Sequence, residues 1–157
     1  MSPTPPGGQK FSAHKRSRAR RLASQALYQW TLTGQEMAEI STQFNEERDL
    51  RNADLEYFEM LLREIPINVE ALDLALESAL DRRVDELDPV ERSILRIGVY
   101  ELAHRPEIPY KVVINEAINL TKKFGAEQSH TYVNGVLDRV ASTLRSQECV
   151  EARGTRK

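Results

Sequence analysis

The sequence has little of what secreted, membrane-bound and thiol-dependent proteins rely on. Its single cysteine, Cys149, has no second cysteine for a disulfide or a thiolate metal cluster, so we expect a free thiol. No apolar run approaches the roughly 20 residues that cross a bilayer, and the Pro- and Gly-rich start of the chain lacks the apolar centre of a signal peptide. We therefore expect a cytoplasmic protein that makes no membrane contact.

Motifs of catalysis are also missing from the sequence. It contains no glycine-rich phosphate loop, no Gly-x-Ser-x-Gly nucleophile elbow and no His-Glu-x-x-His zinc motif. The three histidines, His14, His104 and His130, are far apart in sequence, and each fits a surface or capping role better than a metal site. These absences predict a protein that is not an enzyme and that uses no cofactor, no metal and no catalytic residue.

Acidic side chains are absent from the first 35 residues, which carry six Lys or Arg. Residues 36–91 reverse this balance, with 17 acidic and 5 basic side chains, and residues 92–157 carry 7 acidic and 11 basic ones. The net charge of -2 thus conceals a strong segregation. Such a chain can offer a basic face to a polyanion and an acidic face to a basic protein.

Hydrophobic periodicity of about 3.6 residues runs through most of the chain, and no segment alternates as a strand does. We predict an all-α fold, a compact bundle of six or seven amphipathic helices in a single domain over residues 13–145. Residues 1–12 are predicted to be a disordered leader and residues 146–157 a disordered polar tail. A first helix from about His14 should end at Thr33-Gly34, and Pro66 should kink or break a later one.

Residues 87–138 hold the sharpest helix boundaries. Asp88 suits an N-cap, Pro89 the first helical turn and Glu91 the return position of a capping box. Along this helix one side is apolar, while Arg92 and Arg96 lie on the other. Two further amphipathic helices should follow, separated by a short turn at Gly125, which favours an antiparallel pair.

The basic stretch of the first helix is the first candidate for nucleic-acid binding. Like charges four residues apart, such as Arg16 and Arg20, destabilise a helix unless anions neutralise them, and no acid lies nearby in sequence. This favours polyanion binding over an ordinary solvated face, without distinguishing RNA from DNA or membrane. The predicted contacts are Lys15, Arg16, Arg18 and Arg20.

A second candidate cluster surrounds the last predicted turn. Cations beside aromatic rings and a side-chain amide suit a splayed single-stranded RNA, whose phosphates need charge and whose bases need a stacking platform. The residues are Lys122, Lys123, Phe124, Gln128 and Tyr132. Phe124 continues an apolar stripe, so a core position remains an alternative for it, and Tyr132 lies on the flank of its own stripe.

Several of these segments together resemble the NusB family. The resemblance covers roughly residues 14–144 and rests on strings such as Leu-Asp-Pro-Val-Glu (87–91), Ile-Pro-Tyr-Lys-Val-Val-Ile-Asn-Glu-Ala (108–117), Lys-Phe-Gly (123–125) and Tyr-Val-Asn-Gly-Val-Leu-Asp (132–138). It implies an all-helical antitermination factor that binds boxA RNA of nascent ribosomal RNA transcripts together with NusE, a ribosomal protein, in the antitermination complex on RNA polymerase. A homodimer that buries the RNA face is a further possibility.

The partner is expected to dock near Glu91 and Tyr110, which belong to the strings that carry the resemblance. The acidic region before Glu91 can attract a basic protein, and Tyr110 offers a ring and a hydroxyl. Alternatively, Glu91 only completes its capping box and Tyr110 is mostly buried. Two other functions stay open: an accessory domain like that of ribosomal RNA cytosine methyltransferases, with no catalytic domain expected after residue 157, or a helical adaptor that binds only protein.

Overall fold

The computed structural model describes residues 6–124 and 128–154, with side chains from Ala13 onward. Within these residues the backbone forms eight α-helices and one short 3-10 helix, with no β-strand. The prediction of an all-α fold is confirmed. Contacts between Cα atoms group the chain into two compact units, residues 1–67 and residues 68–157.

The first unit consists of α1 (Pro6–Thr33), α2 (Met37–Glu47) and α3 (Leu55–Ile67). α1 begins earlier than the predicted start near His14, so residues 6–12, expected in a disordered leader, have helical backbone. It ends where predicted, because Gly34 has a φ of 69° and its amide donates to the Trp30 carbonyl at 3.0 Å. This left-handed conformation favours glycine and stops the helix.

The core of the first unit forms where small residues of α1 meet large residues of α2 and α3. Ala19, Ala23 and Ala26 are fully buried, so the backbone of α1 lies close to its neighbours. Larger buried side chains fill the remaining space: Leu27, Ile40, Phe44, Phe58, Leu61, Leu62 and Ile65. Pro66 lies in the last turn of α3, which ends one residue later, and this agrees with the predicted interruption.

The second unit consists of α4 (Val69–Glu77), a 3-10 turn (Val84–Glu86), α5 (Pro89–His104), α6 (Tyr110–Lys123), α7 (Ser129–Leu144) and α8 (Ser146–Gly154). Its central element is α5, which packs against α4, α6 and α7. The predicted start of α5 is confirmed, since the Asp88 carboxylate accepts from the Val90 amide at 2.8 Å and from the Glu91 amide at 3.4 Å.

The side of α5 that carries Arg92 and Arg96 is not the open polar face that the sequence pattern had suggested. Every residue from Ser93 to Leu102 is buried, because neighbouring helices cover α5 on several sides. Arg96 forms a two-pronged ion pair with Asp73 of α4 at 2.8 and 2.9 Å. Arg92 donates to the carbonyls of Asp85 and Leu87, both at 3.1 Å. These arginines therefore fix the chain around α5 instead of facing solvent.

The prediction of a disordered tail was wrong for residues 146–154, because these residues form α8. Arg145, only 9% exposed, precedes it and donates to the carbonyls of four residues at the end of α5 and in the α5–α6 connection: Glu101, Leu102, Arg105 and Ile108. Its guanidinium also pairs with Glu148 at 2.6 Å, and Glu148 accepts from the Tyr110 amide at 2.9 Å. α8 is thus bound to the start of α6, and its face buries the free thiol of Cys149.

Candidate nucleic-acid interface

The basic residues of α1 divide into buried and accessible groups. Lys15, Arg16 and Arg18 are partly exposed, whereas Arg20 is only 3% exposed. The guanidinium carbons of Arg16 and Arg20 lie 4.4 and 5.5 Å from the centre of the Tyr57 ring. This distance range is that of cation–π contacts. Arg20 therefore faces an aromatic ring of its own unit, and its predicted phosphate contact would require it to leave that position.

Repulsion between Arg16 and Arg20 is relieved within the first unit. Arg16 lies 3.8 Å from the Asp54 carboxylate, and the Asp54 amide donates to the Lys15 carbonyl at 3.0 Å. The sequence argument that no acid neutralises these arginines was wrong, because Asp54 reaches α1 only through the packing of α3. Lys15, Arg16 and Arg18 are still partly exposed, so their positive charge is accessible to a polyanion.

The second cluster lies at one end of the second unit. Because α5, α6 and α7 pack against one another through short connections, the start of α5, the end of α6 and the start of α7 lie at this end. We call this end the turn face and define it by Asp81, Arg82, Glu91, Lys122, Lys123, Phe124, Gln128, Ser129 and Tyr132. Lys122, Lys123 and Gln128 are exposed, and Phe124 and Tyr132 are half-buried. Gly125, the predicted cap, lies outside the described residues.

Tyr132 is held by two residues of the α4–α5 connection. Its hydroxyl donates to the Asp81 carboxylate at 2.9 Å, and the Arg82 guanidinium carbon lies 4.9 Å from the ring centre. Arg82 in turn donates to both carboxylate oxygens of Asp81, at 2.8 and 3.2 Å. The three side chains thus form a closed set in which each contacts the other two.

The protonation states of this set are fixed near neutral pH. Hydrogen bonds from Arg82 and then from Tyr132 lower the pKa of Asp81 to about 2. The same carboxylate raises the pKa of Arg82, and burial followed by the bond to Asp81 raises the pKa of Tyr132. The set therefore keeps one negative carboxylate, one guanidinium cation and one neutral phenol.

Two arginines hold the α4–α5 connection against the other helices. The Arg139 guanidinium of α7 donates twice to the Ala79 carbonyl, at 2.9 and 3.1 Å, just before Asp81. Arg92 of α5 holds the far side of the same connection, as described above. Asp81 and Arg82 are therefore presented to Tyr132 by backbone that is anchored on both sides.

The two residues predicted to bind a protein partner have different surroundings. Glu91 is half-buried at the turn face, where its carboxylate accepts from the Ser129 hydroxyl at 3.0 Å. Tyr110 is 9% exposed and follows the opposite end of α5, which extends about 20 Å from Glu91 to His104. Within the second unit, the structure thus brings Glu91 together with the RNA candidates of the turn face and places Tyr110 at the other end of α5.

Sequence reasoning missed Asp81 and Arg82. They lie in the acidic middle of the chain, which the charge pattern described only as a region. Asp81 and Tyr132 are 51 residues apart, so no local pattern links them. The sequence signal that was present is the pair of adjacent opposite charges at a helix end, which is common and not specific.

Within the described residues, no helix is both long and apolar enough to cross a membrane. The same residues hold no group of three His, Cys, Asp or Glu side chains arranged to bind a metal ion.

These features define an all-helical protein that carries accessible cations on one helix and a face of cations and rings at the end of a helical hairpin. The chain belongs to the NusB family, whose sequence model matches residues 17–142. It is 52% identical over 136 residues to the transcription antitermination protein NusB of Nitrosococcus oceani, covering 87% of this chain and 91% of that protein. The corresponding protein of Legionella pneumophila is 47% identical over 140 residues, with 89% and 95% covered.

Solved structures show the same fold. A crystal structure of the antitermination factors NusB and NusE in complex with dsRNA contains a chain with a TM-score of 0.74 and 32% identity, covering 81% of this chain and 96% of that one. The solution structure of NusB from Aquifex aeolicus gives a TM-score of 0.73 and 31% identity, with 85% and 91% covered.

Proposed function

We propose that this chain is a transcription antitermination factor that binds boxA-type single-stranded RNA of nascent ribosomal RNA transcripts together with NusE. Family membership over residues 17–142 is the observation that carries the proposal. The solved complex of NusB and NusE with dsRNA supports both kinds of partner. The protein acts by assembly on RNA polymerase in the cytoplasm and not by catalysis.

RNA contacts come from a surface on each unit. On α1, Lys15, Arg16 and Arg18 neutralise phosphates, because accessible cations on one helix can meet a backbone without reading bases. Arg20, which packs on Tyr57, positions this helix. On the turn face, the exposed Lys122 and Lys123 contact phosphates and Gln128 offers a side-chain amide to a base. Phe124 and Tyr132 are each partly exposed, so their rings are available for base stacking.

NusE docks near Glu91, whose carboxylate charge is available beyond its bond to Ser129. Tyr110 contributes mainly by support, since it is nearly buried and its amide is bound to Glu148. A partner that touches both residues has to extend along about 20 Å of α5.

The direct experiment measures binding of a boxA RNA, a scrambled RNA of equal length and a duplex of the same sequence, each with and without NusE, over a series of salt concentrations. We expect the boxA strand to bind more tightly than the scrambled strand, with a further gain when NusE is present. Equal binding of both strands in the presence of NusE would contradict boxA recognition. Binding of NusE without binding of any RNA would favour the protein-only adaptor.

Tyr132 provides a test of the turn face. Stacking of a base on an aromatic ring is worth roughly 1 to 3 kcal/mol by alanine substitution. Tyr132→Ala should therefore lose at least tenfold in RNA affinity, while Tyr132→Phe keeps the ring and binds at least nearly as well as the parent. If Tyr132→Ala binds normally after correction for the folded fraction, the ring does not stack on RNA.

A further inference from the structure

Asp81 is an acid on the turn face, where we assign cations and rings to RNA binding. Its side chain is 64% exposed, so water could solvate the carboxylate and the fold does not need Arg82 or Tyr132 to neutralise a buried charge. Yet it holds two groups that a single-stranded RNA would use, the Arg82 guanidinium and the Tyr132 phenol. An exposed ion pair of neighbouring residues is common, but the bond from Tyr132 comes from another helix, 51 residues away.

A phosphate would compete with the Asp81 carboxylate for the same N–H donors of Arg82. A carboxylate and a phosphate both present oxygen pairs to the guanidinium fork, and one fork cannot serve both fully. Asp81 occupies the fork through Nε and Nη2, at 2.8 and 3.2 Å. Its negative charge also opposes any phosphate that approaches Lys122 and Lys123 at the same end of the unit.

Arg82 also covers the ring that we assign to base stacking. With the guanidinium carbon 4.9 Å from the ring centre, a base that stacks on that side has to displace Arg82 or stack on its outer plane. Release of Arg82 from Asp81 therefore helps RNA in two ways, since it frees a cation and loosens the cover of the Tyr132 ring.

We propose that Asp81 is a built-in competitor of RNA at the turn face, and that Arg82 is an additional RNA-contacting residue which a phosphate takes over from Asp81. The proposal rests on the proposed function. In the free protein, the Asp81–Arg82–Tyr132 set is closed; in the complex, Arg82 turns to the phosphate. The cost of opening the set lowers RNA affinity, as any interaction lost on binding does.

Asp81→Asn tests the proposal because it removes the charge while keeping the size of the side chain. We expect a fivefold or greater gain in affinity for the boxA strand. Arg82→Ala should flatten the slope of log affinity against log salt by about 0.7, the value for one phosphate contact of a single strand. The slope for Asp81→Asn should stay near that of the parent, because Arg82 meets the phosphate in both complexes and only the cost of releasing it differs.

Asp85→Asn is the matched control. Asp85 lies in the same α4–α5 connection and pairs with Arg83 at 3.3 Å, so the variant has the same change in net charge without releasing Arg82. Its affinity should stay within twofold of the parent and its salt slope unchanged. In an Arg82→Ala background, Asp81→Asn should gain less than twofold, because no released cation is left to bind the phosphate.

Three results would overturn the proposal: a gain from Asp81→Asn no larger than that from Asp85→Asn, an unchanged salt slope for Arg82→Ala, or the full gain of Asp81→Asn in the Arg82→Ala background. In each of these cases the parent still binds RNA and the proposed function stands. If the parent binds no RNA with NusE present, the proposed function and this inference fail together. Melting temperatures of all variants establish that each is folded at the temperature of the binding assay.

Discussion

At the scale of single residues, Arg145 joins the end of α7 to the α5–α6 connection. It is nearly buried and donates to four carbonyls around the α5–α6 connection as well as to Glu148. Helix ends leave carbonyls without partners inside the helix, and a buried guanidinium with five donors can satisfy several of them.

We predict that Arg145→Ala lowers the free energy of unfolding by about 3 kcal/mol, because four backbone carbonyls and the Glu148 carboxylate each lose a hydrogen bond from the buried guanidinium. Urea denaturation measures the change. Arg153→Ala, an exposed site on α8, is the control and should stay within about 0.5 kcal/mol of the parent. Equal stability of the two variants would show that the Arg145 bonds contribute little.

Glu148 gives this contact a pH dependence. Burial raises the pKa of Glu148, but donation from the Tyr110 amide and from Arg145 outweighs it, so the net pKa lies below the ordinary value of 4.5. A carboxylate with a lowered pKa in the folded state stabilises the protein above its unfolded pKa and loses that contribution as the pH falls through the folded value.

We therefore predict that Glu148→Gln is less stable than the parent by a constant amount from pH 5 to 8, and that the difference shrinks below about pH 4.5. Urea denaturation of both proteins at several pH values measures this difference, in which other titrating groups largely cancel. A difference that persists unchanged to pH 2 would mean that the Glu148 charge does not stabilise the fold.

At the scale of elements, the packing of α5 on α7 depends on Gly98. A Cβ atom added there would lie 2.9 Å from both methyl carbons of Leu137, which is fully buried. Gly135, in the interior of α7, is different because its nearest atom would be the end of Arg139 at 3.5 Å, an ordinary contact. The two glycines thus separate helix propensity from helix packing.

We predict that Gly135→Ala stabilises the protein by about 0.5 to 1 kcal/mol, the difference in helix propensity between the two residues. Gly98→Ala has the same gain in propensity but forces Leu137 out of its position, and a net loss of about 1 kcal/mol is expected. Thermal and urea unfolding of the two variants measure the contrast. A Gly98→Ala protein as stable as Gly135→Ala would show that Leu137 adapts without cost.

The basic helix α1 gives a second contrast, between an accessible and a buried arginine. Arg16→Ala should weaken binding of all RNAs similarly and flatten the slope of log affinity against log salt by about 0.7. Arg20→Ala should leave the slope unchanged and lower the free energy of unfolding by about 2 kcal/mol, because its buried packing on Tyr57 is lost. A flattened slope for Arg20→Ala instead would mean that Arg20 leaves Tyr57 to bind phosphate.

At the scale of the whole molecule, the proposed function requires that NusE and RNA raise each other's affinity by the same factor. Glu91→Gln keeps an oxygen that can accept from Ser129 but removes the charge. We predict that it weakens NusE binding, leaves RNA binding by the isolated protein within about twofold, and reduces the gain in RNA affinity on adding NusE. Titrations of each ligand in the presence of the other measure both sides of the linkage.

Ser129→Ala is the control for this variant, because it removes the hydrogen bond and keeps the Glu91 charge. NusE binding should then persist. If Ser129→Ala weakens NusE binding as much as Glu91→Gln does, the Glu91 charge alone does not account for NusE binding. Tyr110 is not suited to a comparable test by alanine, since it is nearly buried and its loss would destabilise α6.

Caps, backbone preferences and 3.6-residue periodicity act between near neighbours. For this reason most of the helices, the ends at Asp88 and Gly34, and the buried stripes of α6 and α7 could be predicted from the sequence, whereas α8 and the first turns of α1 were not. The tertiary structure alone decided the burial of Arg20, the role of Arg145 in fixing α8, and the contact of Asp81 with Tyr132. These depend on residues 37 or more positions away, and the energy of such a contact exists only after packing has brought the partners together. Charge pattern therefore predicts where polyanions bind, whereas the side chain that we propose opposes binding, Asp81, could be connected to Tyr132 only in the folded chain.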